Sequence, residues 1–109
     1  MTEYKNGVIY IYYNDDKTEL SQIYFIFNGK IEGEYKIYHK NSQLEKIYNY
    51  KNDMREGEYK SYWDNGQLLS LCNYKNNKRE EGYKSYQKNS QLFVMCYYKN
   101  DEYKDYEKE

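Results

Sequence analysis

The chain contains no proline and no alanine, and it has only one histidine, one tryptophan, two cysteines and six glycines in 109 residues. Each shortage excludes something. One histidine and two cysteines cannot form a His/Cys cluster with metal-ligand spacing. No second base or nucleophile recurs in register with the histidine. There is no phosphate-cradling glycine loop and no dinucleotide fingerprint. Catalytic, cofactor-binding and metal-ligating residues are therefore expected to be none, and no cofactor is expected. No apolar run approaches the ~20 residues of a membrane helix. The amino terminus lacks the basic-then-apolar signature of a signal peptide, so the expected location is cytoplasmic, or the host-cell interior if the source is a phage or virus. A dominant charge is missing too. Segments 1–32, 33–56, 57–80 and 81–109 carry −2, +1, +1 and −1. None has the positive field that draws proteins to nucleic acid or anionic membranes, so both rank below a protein partner.

Aliphatic mass is scarce as well. Leu, Ile, Val and Phe number 18, under the ~20% at which disorder becomes the alternative. The balance is restored by 18 tyrosines, whose rings bury apolar area while the hydroxyl stays wet and which favour pleated strands. The surplus of Lys, Asn, Tyr and Ile is what AT-rich codons produce. The length fits one domain.

What the sequence has in abundance is a repeat of 24 residues. Tyr35, Tyr59 and Tyr83 align, as do Tyr38, Tyr62 and Tyr86; Asn41, Asn65 and Asn89; Gln43, Gln67 and Gln91; Leu44, Leu68 and Leu92; and Tyr50, Tyr74 and Tyr98. A degraded copy precedes these. Leu20, Ile23, Tyr24 and Asn28 hold the register, and Tyr10 and Tyr13 match Tyr35 and Tyr38 if one turn gained a residue. The expected organisation is a half copy at 1–8, repeats at 9–32, 33–56, 57–80 and 81–101, and a half copy at 102–109.

Each copy reads as two strands around a turn. Asn28-Gly29, Asn65-Gly66 and Asn6-Gly7 are hairpin signals, because both residues tolerate positive φ; Asn-Ser and Asn-Asp stand at the matching turns elsewhere. No apolar stripe of helical period persists. The expected fold is all-β, an elongated antiparallel meander of about nine strands built from stacked hairpins. Alternation is incomplete: in 92–98 both faces are apolar. Covered faces, a contact surface or a register-shifting bulge would each explain that.

The pattern G-x-Y-K-x-Y-x-x-N-G-Q-L followed by Y-K-N resembles the MORN repeat, closest to the tandem variant of small bacterial proteins often labelled antitoxin-like. The resemblance runs from Tyr4 to Tyr106. It implies a twisted sheet of stacked hairpins that binds partners, proteins or membrane surfaces, without catalysis. Three departures are visible. Ser42 and Ser90 replace the turn glycine, and Glu81-Gly82 inverts the Gly-Glu order, which questions how the third full repeat begins.

Among single residues, Cys72 and Cys96 hold equivalent positions in successive hairpins. Two strand spacings put their Cα atoms ~10 Å apart, beyond disulfide reach, so they are expected to pack in the core. The Lys36, Lys60 and Lys84 column invites an anionic partner, but Glu34 and Glu58 balance it. Invariant columns are expected to be scaffold, and variable columns with large side chains to carry recognition. Those are His39, Trp63 and Gln87; Glu45, Leu69 and Phe93; and Ile47, Leu71 and Met95. Trp63, His39, Leu69, Phe93, Leu71 and Met95 are the expected partner-binding residues. The uncharged stretch 8–13 at the amino-terminal edge is expected to pair with a twin chain or a partner strand. The function expected is a protein-binding module, possible roles being inhibitor, antitoxin or immunity protein, with a membrane-surface or nucleic-acid adaptor as the alternative.

Overall fold

A computed structural model describes residues 5–99 and 102–104. The remainder of the half copies expected at 1–8 and 102–109 lies outside the described residues. Ten strands form one antiparallel sheet: β1 (Gly7–Tyr12), β2 (Leu20–Phe27), β3 (Lys30–Tyr38), β4 (Leu44–Lys51), β5 (Met54–Arg55), β6 (Gly57–Tyr62), β7 (Leu68–Lys75), β8 (Lys78–Tyr86), β9 (Leu92–Lys99) and β10 (Glu102–Lys104). They follow chain order across the sheet, with β5 and β6 pairing successive parts of β4. The described residues contain no helix. The extents are 57 × 31 × 15 Å, those of a long single layer. The expected meander is the observed one.

Two kinds of turn alternate. Asn28-Gly29, Asn52-Asp53 and Asn76-Asn77 have positive φ at both residues, the two-residue geometry that matches strand twist. The turns at 39–43, 63–67 and 87–91 are different and correct the expectation for Asn65-Gly66. There only the fourth residue has positive φ: Ser42 (74°), Gly66 (88°) and Ser90 (75°). Its amide donates back to the carbonyl of residue 39, 63 or 87. The preceding asparagine is not left-handed; Asn41, Asn65 and Asn89 instead accept the amide of Gln43, Gln67 and Gln91 on their side chains, at 2.9–3.0 Å. Ser42 and Ser90 thus take the place of Gly66 at the cost of an unfavourable φ. Asn6-Gly7 forms no hairpin among the described residues; Gly7 opens β1, and Asn6 accepts the Asn28 amide at 3.0 Å.

The first copy also needs a correction. Tyr13 donates its amide to the Glu19 carbonyl as His39 donates to Gln43. That turn has gained two residues, not one, so Tyr12, not Tyr13, matches Tyr38 in its pairing with Leu20. Gly7 then aligns with Gly33, Gly57 and Glu81. The last three share positive φ at 82°, 94° and 67°, and they pair with Tyr50, Tyr74 and Tyr98. Glu81 therefore keeps the geometry that its replacement of glycine had placed in question.

A one-residue bulge recurs in the hairpins β1–β2, β3–β4, β6–β7 and β8–β9. Ser21, Glu45, Leu69 and Phe93 are each skipped between paired neighbours. This explains the incomplete alternation: parity breaks once per hairpin.

Candidate functional site

With the registers fixed, each sheet face resolves into rows running across the strands. On one face Tyr24, Tyr35, Tyr48, Tyr59, Cys72, Tyr83 and Cys96 stand side by side. Tyr24 and Tyr35 stack at 4.5 Å and 6°, Tyr48 meets Tyr59 at 4.6 Å, and Tyr50, Tyr74 and Tyr98 close on the row from the side. The Arg55 guanidinium lies 4.5 Å over Tyr74, and that of Arg79 lies 4.3 Å over Tyr98. Burial raises the Tyr35 and Tyr50 hydroxyls above their ordinary pKa and pushes those of Tyr59 and Tyr74 up to about 12. The two cysteines are unbridged, and they are the two hydrophobic residues buried among the described residues. A single layer has no second sheet to close over it, so its core is this packed row.

Beside the tyrosines runs a second row on the same face: Ile11, Gln22, Ile37, Lys46, Ser61, Ser70, Ser85 and Val94. Side chains shrink to hydroxyls in the middle of it. Ser61 and Ser70 share a short hydrogen bond and are buried, as is Ser85. The floor therefore sinks, leaving an open groove of about 460 Å³. Tyr59 and Tyr83 form one wall; His39, Trp63 and Leu69 form the other, with Lys88 over the Trp63 ring at 5.7 Å; Lys46 also lines the groove. Lys88 pairs with Asp64 at 3.3 Å, and Glu45 stands 4.0 Å from the His39 ring.

His39 and Trp63 have a second role. The His39 Nε2–H donates to the Tyr62 carbonyl at 2.9 Å, and the Trp63 Nε1–H donates to the Tyr86 carbonyl at 3.0 Å. The Tyr13 hydroxyl donates in the same way to Tyr38. This column therefore ties each repeat to the next. The opposite edge has its own clasp. Asp53 and Asn77 accept the amides of Ile31 and Arg55 at 2.7 and 2.9 Å, while their own amides donate to the carbonyls of the same two residues.

The six residues singled out from sequence do not form one patch. His39, Trp63 and Leu69 meet at the groove. Phe93 occupies the corresponding bulge in β9, 68% exposed. Leu71 and Met95 lie on the opposite face, in a row of Tyr10, Ile23, Lys36, Ile47, Lys60, Leu71, Lys84 and Met95. There aliphatic side chains alternate with lysines, and Lys36 and Lys60 pair with Glu34 and Glu58 at 3.5 and 3.9 Å. Lys46, Ser61, Ser70 and Ser85 were not singled out. Their signal was available: column 37/61/85 reads Ile, Ser, Ser, and column 46/70/94 reads Lys, Ser, Val.

Residues 31–52 and 55–76 match the family model described as MORN repeat variant. These stretches contain β4, β6, β7 and most of β3, with the groove's Lys46, Ser61, Trp63 and Leu69. No curated protein matches the chain.

Proposed function

We propose that the chain, two stretches of which match the MORN repeat variant, binds another protein through the serine-floored groove. MORN repeats are non-enzymatic modules that bind proteins or membranes. The observation that carries the reading is the buried pair Ser61 and Ser70, sunk between the tyrosine row and the Trp63–Leu69 wall. An apolar or aromatic side chain seated there would meet rings on both sides and lose its water, the arrangement in which a few contacts dominate affinity. Such a module acts by occupying its partner, as inhibitors, antitoxins and immunity proteins do. The reading also includes a twin chain at β1, the far edge of the sheet.

The test uses a photo-reactive residue in place of Gln67, at the groove's turn, with mass spectrometry of what it captures in the source cell. Leu69→Asp and Lys46→Glu, which alter groove residues, are expected to abolish the captured band; Lys84→Glu on the other face is expected to leave it. A band that survives both groove substitutions removes the groove from the function.

One observation favours a second reading. The Ile/Lys row is a flat surface of aliphatic residues with lysine heads, the composition of an anionic-membrane or nucleic-acid contact. On that reading binding to anionic vesicles or RNA falls steeply with salt and is lost on Lys60→Glu plus Lys84→Glu. Retention that does not change with salt eliminates it.

A further inference from the structure

Strand β1 lacks the protection that edge strands carry. At the position held in interior strands by Lys36, Lys60 and Lys84, β1 has Tyr10; at the position of Ser61 and Ser85 it has Ile11. Charge on an edge strand normally discourages pairing with another chain, and here lysine sits inside the sheet while the edge has none. Val8, Tyr10 and Ile11 are 40%, 54% and 38% exposed, and Phe25 behind them is 47% exposed. Among the described residues β1 pairs with β2 alone. A concavity of about 520 Å³ runs along it, lined by Val8, Ile9, Tyr10, Tyr12 and Ile26, with Lys17 from the following turn also on its wall.

We propose that β1 pairs antiparallel with β1 of a second copy about a two-fold axis near Ile9 and Tyr10, so that two sheets run on as one. The inference rests on the twin-chain reading above and gives it a geometry. Antiparallel partners share a face, so residues of equal parity meet: Val8 faces the twin's Tyr10 or Tyr12 and Tyr10 faces Val8 or Tyr10 on one side, while Ile9 faces Ile9 or Ile11 on the other. An identical, uncharged strand is complementary to itself, and the two-fold contact closes at a dimer without continuing into a fibre. The Val8, Tyr10 and Phe25 surfaces of both copies become one apolar patch.

Sedimentation equilibrium of the full chain is expected to give a concentration-dependent dimer, with Tyr10→Lys, which sets like charges across the axis, raising the dissociation constant at least tenfold. Ile9→Cys and Tyr10→Cys, oxidised mildly, are expected to yield a disulfide-linked dimer from at least one of the two. Wild type, whose cysteines are buried, is expected to yield none, and so is Phe27→Cys, away from the axis. A dimer that persists while neither Ile9→Cys nor Tyr10→Cys cross-links overturns the β1-to-β1 geometry and leaves the twin-chain reading standing. A monomer at every concentration overturns both, while groove capture is unaffected by either result.

Discussion

Glu81 adopts a left-handed backbone, φ 67°, that Gly33 and Gly57 supply without strain in the two preceding repeats. A Cβ at Gly33 would meet nothing within 4 Å, so the glycine is needed for its φ and not for space. A side chain in that region costs roughly 1–2 kcal/mol, partly offset by the smaller entropy of the unfolded chain. Glu81→Gly is accordingly expected to stabilise the protein by about 0.5–1 kcal/mol, read as a rise of a few degrees in Tm by calorimetry. An unchanged or lower Tm would show that the Glu81 side chain compensates its own strain. The tyrosines make a second residue-scale prediction. Burial holds Tyr59 and Tyr74 up at about 12, while in the unfolded chain they ionise near 10. Above pH ~10 the unfolded chain releases protons that the folded chain retains. The associated stability is complete below that pH and is lost as pH rises through the window to ~12. Both rings keep partial solvent contact, so the loss is on the order of 1 kcal/mol each. Absorbance at 295 nm is expected to show a late-titrating group of tyrosines, with Tyr59→Phe reducing its amplitude; a single transition at pH 10 would contradict the packed row.

At the scale of the elements, the ties between hairpins are side-chain groups placed on backbone carbonyls. Trp63→Phe keeps a ring in the groove wall but removes the donor to Tyr86. It is expected to cost about 1 kcal/mol, the net worth of one such bond, a fall in Tm of about 4–8 °C in a domain of this size. A variant as stable as wild type would leave Trp63 with recognition as its sole role. Trp63 also shows where sequence reasoning reaches its limit. The strands and their order were legible, because turn residues recur every 10–14 positions and the Tyr columns leave one period. The faces were not. One skipped residue per hairpin moves Leu69 and Phe93 out of simple alternation, and nothing in their chemistry announces a bulge. Variable columns were read as recognition sites, yet Tyr13, His39 and Trp63 vary while sharing one task, since any side chain with a suitably placed donor can reach the next carbonyl. The groove was hidden for a different reason: it is made by what is missing, with serines where neighbouring repeats carry Ile37 and Lys46.

On the scale of the whole molecule, strand contacts among the described residues are concentrated between neighbours in the sheet. No second layer couples distant parts, so stability is close to a sum of hairpin terms and junctions between them. Those terms are unequal along the long axis. Cys72 is 1% exposed near the middle, whereas Phe27 is 60% and Phe93 68% exposed towards the two ends. Opening should therefore begin at the ends and move inward, with local unfolding free energies that rise towards β6 and β7. In the monomer, at concentrations too low for β1 pairing, native-state amide exchange is expected to be slowest in β4, β6 and β7 and at least tenfold faster in β1 and β9. Two substitutions separate this from an all-or-none sheet. Val8→Ala is expected to speed exchange in β1 and β2 and leave β6 and β7 unchanged. Leu71→Ala is expected to lower protection throughout, because every outward hairpin leans on the central pair. If both variants shift all strands equally, the ten strands open as a single cooperative unit, and the sum over junctions does not describe this protein.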